Sequence, residues 1–167
     1  MRSISLYVSS YNQEVFIMAG RFVALLIALV GFSIFAHGAQ GPEQKDADEA
    51  IKKFLSSQKS ETEDAQPQDS ALADLNGDGK SELVLLWTLM GPTYFHNTLT
   101  VFSKTAQGYA PAATLPLTGE AKLSSVKNGI IFVEQKVLAK NDPLCCPSIT
   151  KHAKYRLVGK KILEVKK

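Results

Sequence analysis

The stretch ELVLLWTLM, residues 82–90, decides the architecture. Its apolar residues occupy both alternating positions, and only the first residue is charged. Successive side chains of a strand point to opposite faces, so a run with no polar face predicts a central strand covered on both sides.

Working outward from this strand, the same period continues to the C-terminus. TLTVFS (residues 98–103) and YAPAATLPL (109–117) flank TAQG as a hairpin. Pro111 and Pro116 cannot donate to a ladder, which confines the second strand to an edge or a bulge. Residues 121–126 and 130–138 flank Lys127-Asn128-Gly129, where Asn-Gly supplies the positive φ angles of a type I′ turn. Residues 153–158 and 162–165 close the chain around Gly159-Lys160-Lys161. Successive hairpins without crossover helices predict an antiparallel meander. Upstream, Ala47, Ala50, Ile51, Phe54 and Leu55 share one helical face within residues 46–58, with Asp46 and Glu49 spaced as a capping box. Residues 56–69 (SSQKSETEDAQPQD) hold no apolar residue larger than alanine and read as a mobile connection. The expected fold class is therefore α+β, mainly β, with an N-terminal helix packed on a meander sheet. The expected division is residues 1–39 as a signal segment, 40–69 as helix and linker, and 70–167 as the β domain, with 40–167 forming one globular unit.

The signal segment rests on FVALLIALVGFSIFA, residues 22–36, which follows Arg21 and leads into AHGAQG. A basic flank, an apolar core and small residues are the order of a secretory signal, and cleavage is expected near Gly38 or Ala39. At about 1.5 Å per residue the core reaches roughly 22 Å, short of the roughly 30 Å hydrocarbon layer. An uncleaved segment extended to Pro42 is the alternative, and would be the chain's only membrane contact. Met-Ala-Gly-Arg directly before the core places the expected natural start at Met18, and no Cys follows the core to carry a lipid. The expected location is periplasmic or secreted.

The net charge of +3 is unevenly spread: acids dominate residues 41–82, and twelve basic residues face four acids from Leu83 onward. Aromatic residues are not interleaved with those lysines, which argues against nucleic acid as a partner. The basic hairpin carrying Lys151, Lys154, Arg156, Lys160 and Lys161 is a candidate binding surface for an envelope protein or other ligand.

Upstream of the central strand, ADLNGDGKSEL places Asp74, Asn76 and Asp78 at alternate positions, with Gly79, Lys80 and Glu82 following. Calcium takes six to eight oxygens, and this spacing can wrap carboxylates, an amide, the Lys80 carbonyl and water around one ion. A bare Asn-Gly-Asp-Gly turn with solvated acids is the competing reading. An EF-hand is excluded, because its twelfth position is Leu85 and a strand follows. The string resembles the D-x-N-x-D-G-x-x-[DE]-L loops of FG-GAP and VCBS-type repeats. That resemblance implies a structural calcium held by Asp74, Asn76, Asp78, the Lys80 carbonyl and Glu82. It covers one loop only, so a propeller does not follow.

The chain has two cysteines, adjacent in NDPLCCPS (residues 141–148). Neighbouring Cα atoms stand about 3.8 Å apart, below the usual disulfide range of about 4.4–6.8 Å, so a bridge between Cys145 and Cys146 would be strained and reducible. A rigid clasp, a thiol/disulfide redox pair aided by His152, and free or intermolecular thiols all remain open. D-P-x-C-C-P-S followed by Tyr155-Arg156 resembles a segment of small exported bacterial proteins, including LppP/LprE-type lipoproteins; this bears on compartment and fold, not on chemistry.

Catalytic patterns are lacking. Residues 40–167 hold two histidines, His96 and His152, with no H-E-x-x-H, G-x-S-x-G, C-x-x-C or phosphate loop. Trp87 reads as core, and Tyr94 and Phe95 as packing or an aromatic lip. The expectation is a non-enzymatic binding or envelope-associated domain with a calcium-type loop; the alternatives are a redox protein and an inhibitor or adaptor.

Overall fold

A computed structural model describes residues 41–166. The expected signal segment, its start and its cleavage site lie outside the described residues. The element order is α1 (Pro42–Gln58), β1 (Asp64–Ala73), β2 (Glu82–Met90), β3 (Phe95–Thr105), β4 (Gly108–Leu117), β5 (Glu120–Lys127), β6 (Ile130–Val137), β7 (Ile149–Val158) and β8 (Lys161–Glu164). The strands form two antiparallel sheets of four, ordered β1-β2-β3-β4 and β5-β6-β7-β8. The single sheet expected from successive hairpins is thus divided at the β4–β5 corner. Hairpin spacing is the same on either side of such a corner, so the local pattern carries no mark of it.

Strand β2 is covered on both sides, and its first seven residues are buried. Val84 and Leu86 enter the core between the sheets with Leu99, Val101, Ile131 and Tyr155. Leu83, Leu85 and Trp87 point the other way, into a cluster with Phe102 and with Ala47 and Leu55 of α1. The ring of Phe54 stands edge-on to Trp87 at 5.5 Å and to Phe102 at 5.1 Å. Each fully buried leucine contributes about 1.5–3 kcal/mol relative to exposure, which is why this uninterrupted run holds the centre. Trp87 satisfies its indole N–H on the Thr100 hydroxyl at 3.0 Å.

Two expectations are corrected. The helix starts at Pro42 with Gly41 at the cap position and no side-chain cap, so Asp46 is an interior residue and the capping box does not form. Proline is well placed there, because the first helical N–H lacks a partner in any case. Asp46 instead reaches Lys104 at 3.4 Å, and Glu43 accepts from the Tyr109 hydroxyl at 3.0 Å. The second correction concerns residues 56–69: from Asp64 this stretch is the edge strand β1, with a register shift between Pro67 and Asp69. Its backbone pairing with β2 orders it, although its polar side chains have little to bury.

The corner is secured by buried amides. Asn97 Nδ2 donates to the Gly119 carbonyl at 2.8 Å, and Gln135 Nε2 donates to the Thr118 carbonyl at 3.1 Å. Gln135 Oε1 in turn accepts from the Tyr155 hydroxyl at 3.0 Å. The hairpin turn between β5 and β6 has Asn128 at φ 52° and Gly129 at φ 71°, as the Asn-Gly pair predicts.

Candidate functional site

The acidic loop joins β1 to β2 across residues 74–81. Gly77 and Gly79 take φ angles of 81° and 80°, a region that glycine enters without the steric penalty of a side chain. Between them the chain reverses, and the side chains of Asp74, Asn76 and Asp78 turn back on their own backbone. Asp74 Oδ1 accepts from the Gly77 N–H at 2.6 Å and from the Asn76 N–H at 3.2 Å, and its Oδ2 accepts from Gly79 at 3.0 Å. Those backbone donors hold the Asp74 carboxyl below its ordinary range. Asn76 Oδ1 accepts from the Asp78 N–H, and Asp78 Oδ1 from the Lys80 N–H, both at 2.8 Å.

Glu82 closes the loop from the first position of β2. It is 2% exposed. Its Oε2 accepts from the Leu75 N–H at 2.8 Å, and its Oε1 from Asn76 Nδ2 at 3.0 Å. Burial raises the Glu82 carboxyl above its ordinary range, and the charges of Asp78 and Asp74 raise it further against the opposing bond from Leu75. Among the described residues, none of the ion pairs involves Asp74, Asp78 or Glu82.

Leu75 ties this loop to the core. Its side chain is buried between the sheets, and its carbonyl meets the β5–β6 turn so closely that a side chain at Gly129 would stand 2.9 Å from it. The loop therefore rests on both sheets, which no local reading of D-L-N-G-D-G could reveal. An open cavity of about 550 Å³ runs along the contact, bounded by Asp74, Asn76, Asn128 and Arg156.

These oxygens suit a hard cation by type and charge. As arranged, they are engaged with backbone donors, and among the described residues no group of three His, Cys, Asp or Glu side chains is gathered to hold a metal ion. The structure brings Asp74, Asn76, Asp78 and Glu82 into one hydrogen-bonded unit; Lys80 joins it through its N–H.

Cys145 and Cys146 are free thiols, both exposed. Their loop is tied by Asp142, a residue passed over in the sequence: its Oδ2 accepts from the N–H groups of Ala139 and Ser148, each at 2.7 Å, and its Oδ1 from the Ser148 hydroxyl at 2.9 Å. These bonds hold the Asp142 carboxyl below its ordinary range. The signal was the Asp-Pro pair, a turn former whose carboxylate commonly bonds nearby backbone.

The five basic residues of the C-terminal hairpin do not share one face. Lys154 and Arg156 alternate with buried Ala153 and Tyr155 and face outward, as does His152. Lys151 pairs with Glu164 at 2.8 Å, whereas Lys160 and Lys161 sit at the hairpin tip. His152 Nδ1 lies 3.9 Å from Glu134, and His96 stacks 5.2 Å from Tyr94 on the exposed end of β3. Tyr94 and Phe95 are exposed, which corrects the expectation of buried packing at these positions.

No family profile, curated protein or solved structure matches this chain. Among the described residues no helix is long and apolar enough to cross a membrane.

Proposed function

We propose that this is an exported, periplasmic or secreted, non-enzymatic domain, with a binding or envelope-associated role and one calcium ion as a structural element of the Asp74–Glu82 loop. The observation that carries the reading is Glu82: a buried carboxylate beside Asp74 and Asp78, with none of the three in an ion pair among the described residues. Burying a charge is costly unless it is neutralised, and a divalent ion supplies the missing charge. Rotation of Asp74, Asn76 and Asp78 from their backbone donors, with the Lys80 carbonyl and water, would complete an oxygen shell. The ion's chemistry here is electrostatic, and the chain's part is to present the oxygens from a turn fixed by two glycines. The α1 helix is read as a cover over the outer face of the first sheet, supported by Phe54 against Trp87 and Phe102.

A loop without a twelfth-position acid is expected to bind in the extracellular range, with Kd about 10⁻⁴–10⁻³ M. At 10 mM calcium, linkage then predicts about 1.4–2.7 kcal/mol of stabilisation. For a domain of this size the melting temperature should rise by roughly 5–10 °C, whereas magnesium, which demands a tighter octahedron, should give less. Calorimetric titration and a thermal melt test this. No heat and no shift at 10 mM calcium would defeat the calcium reading.

The adaptor reading narrows to Lys154 and Arg156, which share the outer face of the second sheet. Pull-down from envelope extract that is lost at high salt would favour it.

A further inference from the structure

A second cavity, of about 420 Å³, opens where the β4–β5 corner meets the end of β6 and the cysteine loop. Phe95, Val137, Leu138, Leu144 and Pro147 give it apolar walls, and Cys145 lines it while Cys146 does not. The volume falls within the range of about 300–1,000 Å³ usual for small-molecule sites. Its frame is stiff. The corner at Thr118 and Gly119 is held by Gln135 and Asn97, and the cysteine loop is held by three bonds to Asp142. Leu144, beside the thiol, is 90% exposed. An apolar group seated in the cavity would cover that side chain.

We propose that Cys145 captures low-molecular-weight disulfides bearing an aromatic or apolar group, holding one half as a mixed disulfide in this cavity. The Cys145 thiolate, its proton given to solvent, attacks one sulfur of R–S–S–R. The bond from Cys145 to that sulfur forms and the original S–S bond breaks. The second RS⁻ leaves with the electron pair and takes a proton. Cys145 is oxidised, the departing sulfur is reduced, and the disulfide itself is the oxidant. Of the two thiols, only Cys145 lines the cavity, and its thiolate is the attacking form. Closure onto Cys146 is hindered, since adjacent Cα atoms lie about 3.8 Å apart, below the usual disulfide range. The mixed disulfide therefore persists. This site shares no residue with the acidic loop.

The test uses the full chain, reduced and freed of reductant, treated with dithiodipyridine as an aromatic disulfide or with hydroxyethyl disulfide as a small polar one. Intact-mass and fragment-ion analysis should find one aromatic thiol added, on Cys145, with the aromatic reagent favoured by about tenfold after correction for a free-thiol peptide. Cys146→Ser should keep the adduct and Cys145→Ser should lose it. Leu138→Glu, at a half-exposed wall position that folding tolerates, should abolish the preference for the aromatic reagent. An adduct on Cys146, an undiminished rate in Cys145→Ser, direct closure to an internal disulfide without an adduct, or an unchanged preference in Leu138→Glu would each overturn the proposal.

Discussion

The acidic loop and the cysteine loop use the same local device and differ in what lies beneath them. In each, one aspartate gathers backbone N–H groups: Asp74 takes those of Asn76, Gly77 and Gly79, and Asp142 takes those of Ala139 and Ser148 with a hydroxyl. The acidic loop then sends Leu75 into the core and receives buried Glu82 from β2. The cysteine loop sends nothing inward, and its Leu144 stands in solvent. Hydrogen bonding shapes both loops, whereas burial makes only the first a part of the global fold.

The largest effect that would break this contrast comes from trimming the two leucines. Leu75→Ala is expected to cost about 2–5 kcal/mol, the range for a buried leucine that leaves a cavity, while Leu144→Ala stays within about 0.5 kcal/mol, as for a surface change. Urea denaturation of the two variants measures both, and equal losses would end the distinction.

Next in size is the charge stored under the acidic loop. Glu82→Gln removes the buried charge, so it should stabilise the calcium-free domain at neutral pH and remove most of the calcium-dependent rise in melting temperature. A variant that keeps the full rise would place the ion elsewhere.

The pH profile sharpens the same point. The folded Glu82 carboxyl lies above its ordinary 4.5, raised by burial first and then by Asp78 and Asp74, so the folded state holds the proton more tightly than the unfolded one. Its contribution to stability therefore falls as pH rises from about 4.5 through the folded value. Asp74 and Asp142 lie below their ordinary 3.8 because backbone N–H groups favour the carboxylate. Their contributions are present above 3.8 and are lost as pH falls through the folded values. Melting curves between pH 3 and pH 7 should flatten at the upper end when calcium is added, with the acid end unchanged.

The smallest effect is local. Asp142→Ala should speed amide exchange at Ala139 and Ser148 by about five- to tenfold, the loss of one hydrogen bond each, while exchange in β2 stays as it was. Slowed folding or a lower midpoint would show that the cysteine loop also belongs to the global unit.

Much of this contrast was legible in the sequence, though unevenly. The oxygen ladder of Asp74, Asn76 and Asp78 and the turn at Asn128-Gly129 are encoded within a few residues, because glycine and Asx side chains act on their own backbone. The burial of Leu75 depends on the β5–β6 turn more than fifty positions away, and Asp142 was overshadowed by the cysteines beside it. The basic hairpin looked like one surface because charge was counted along the chain; strand alternation turned Lys154 and Arg156 outward, while Lys151 pairs with Glu164.

By itself the sequence determined strands β2 to β8, the double cover of β2 and the apolar face of the helix, since each follows from periodicity and from the free energy of removing contiguous apolar surface from water. Only the tertiary structure decided that the strands divide into two sheets, that residues 64–69 pair as an edge, that Leu75 anchors the acidic loop and that Cys145 faces a cavity. These depend on contacts between residues far apart in the chain, and whether a corner turns or a side chain is covered is set by the partner surface that arrives, not by the residues that form it.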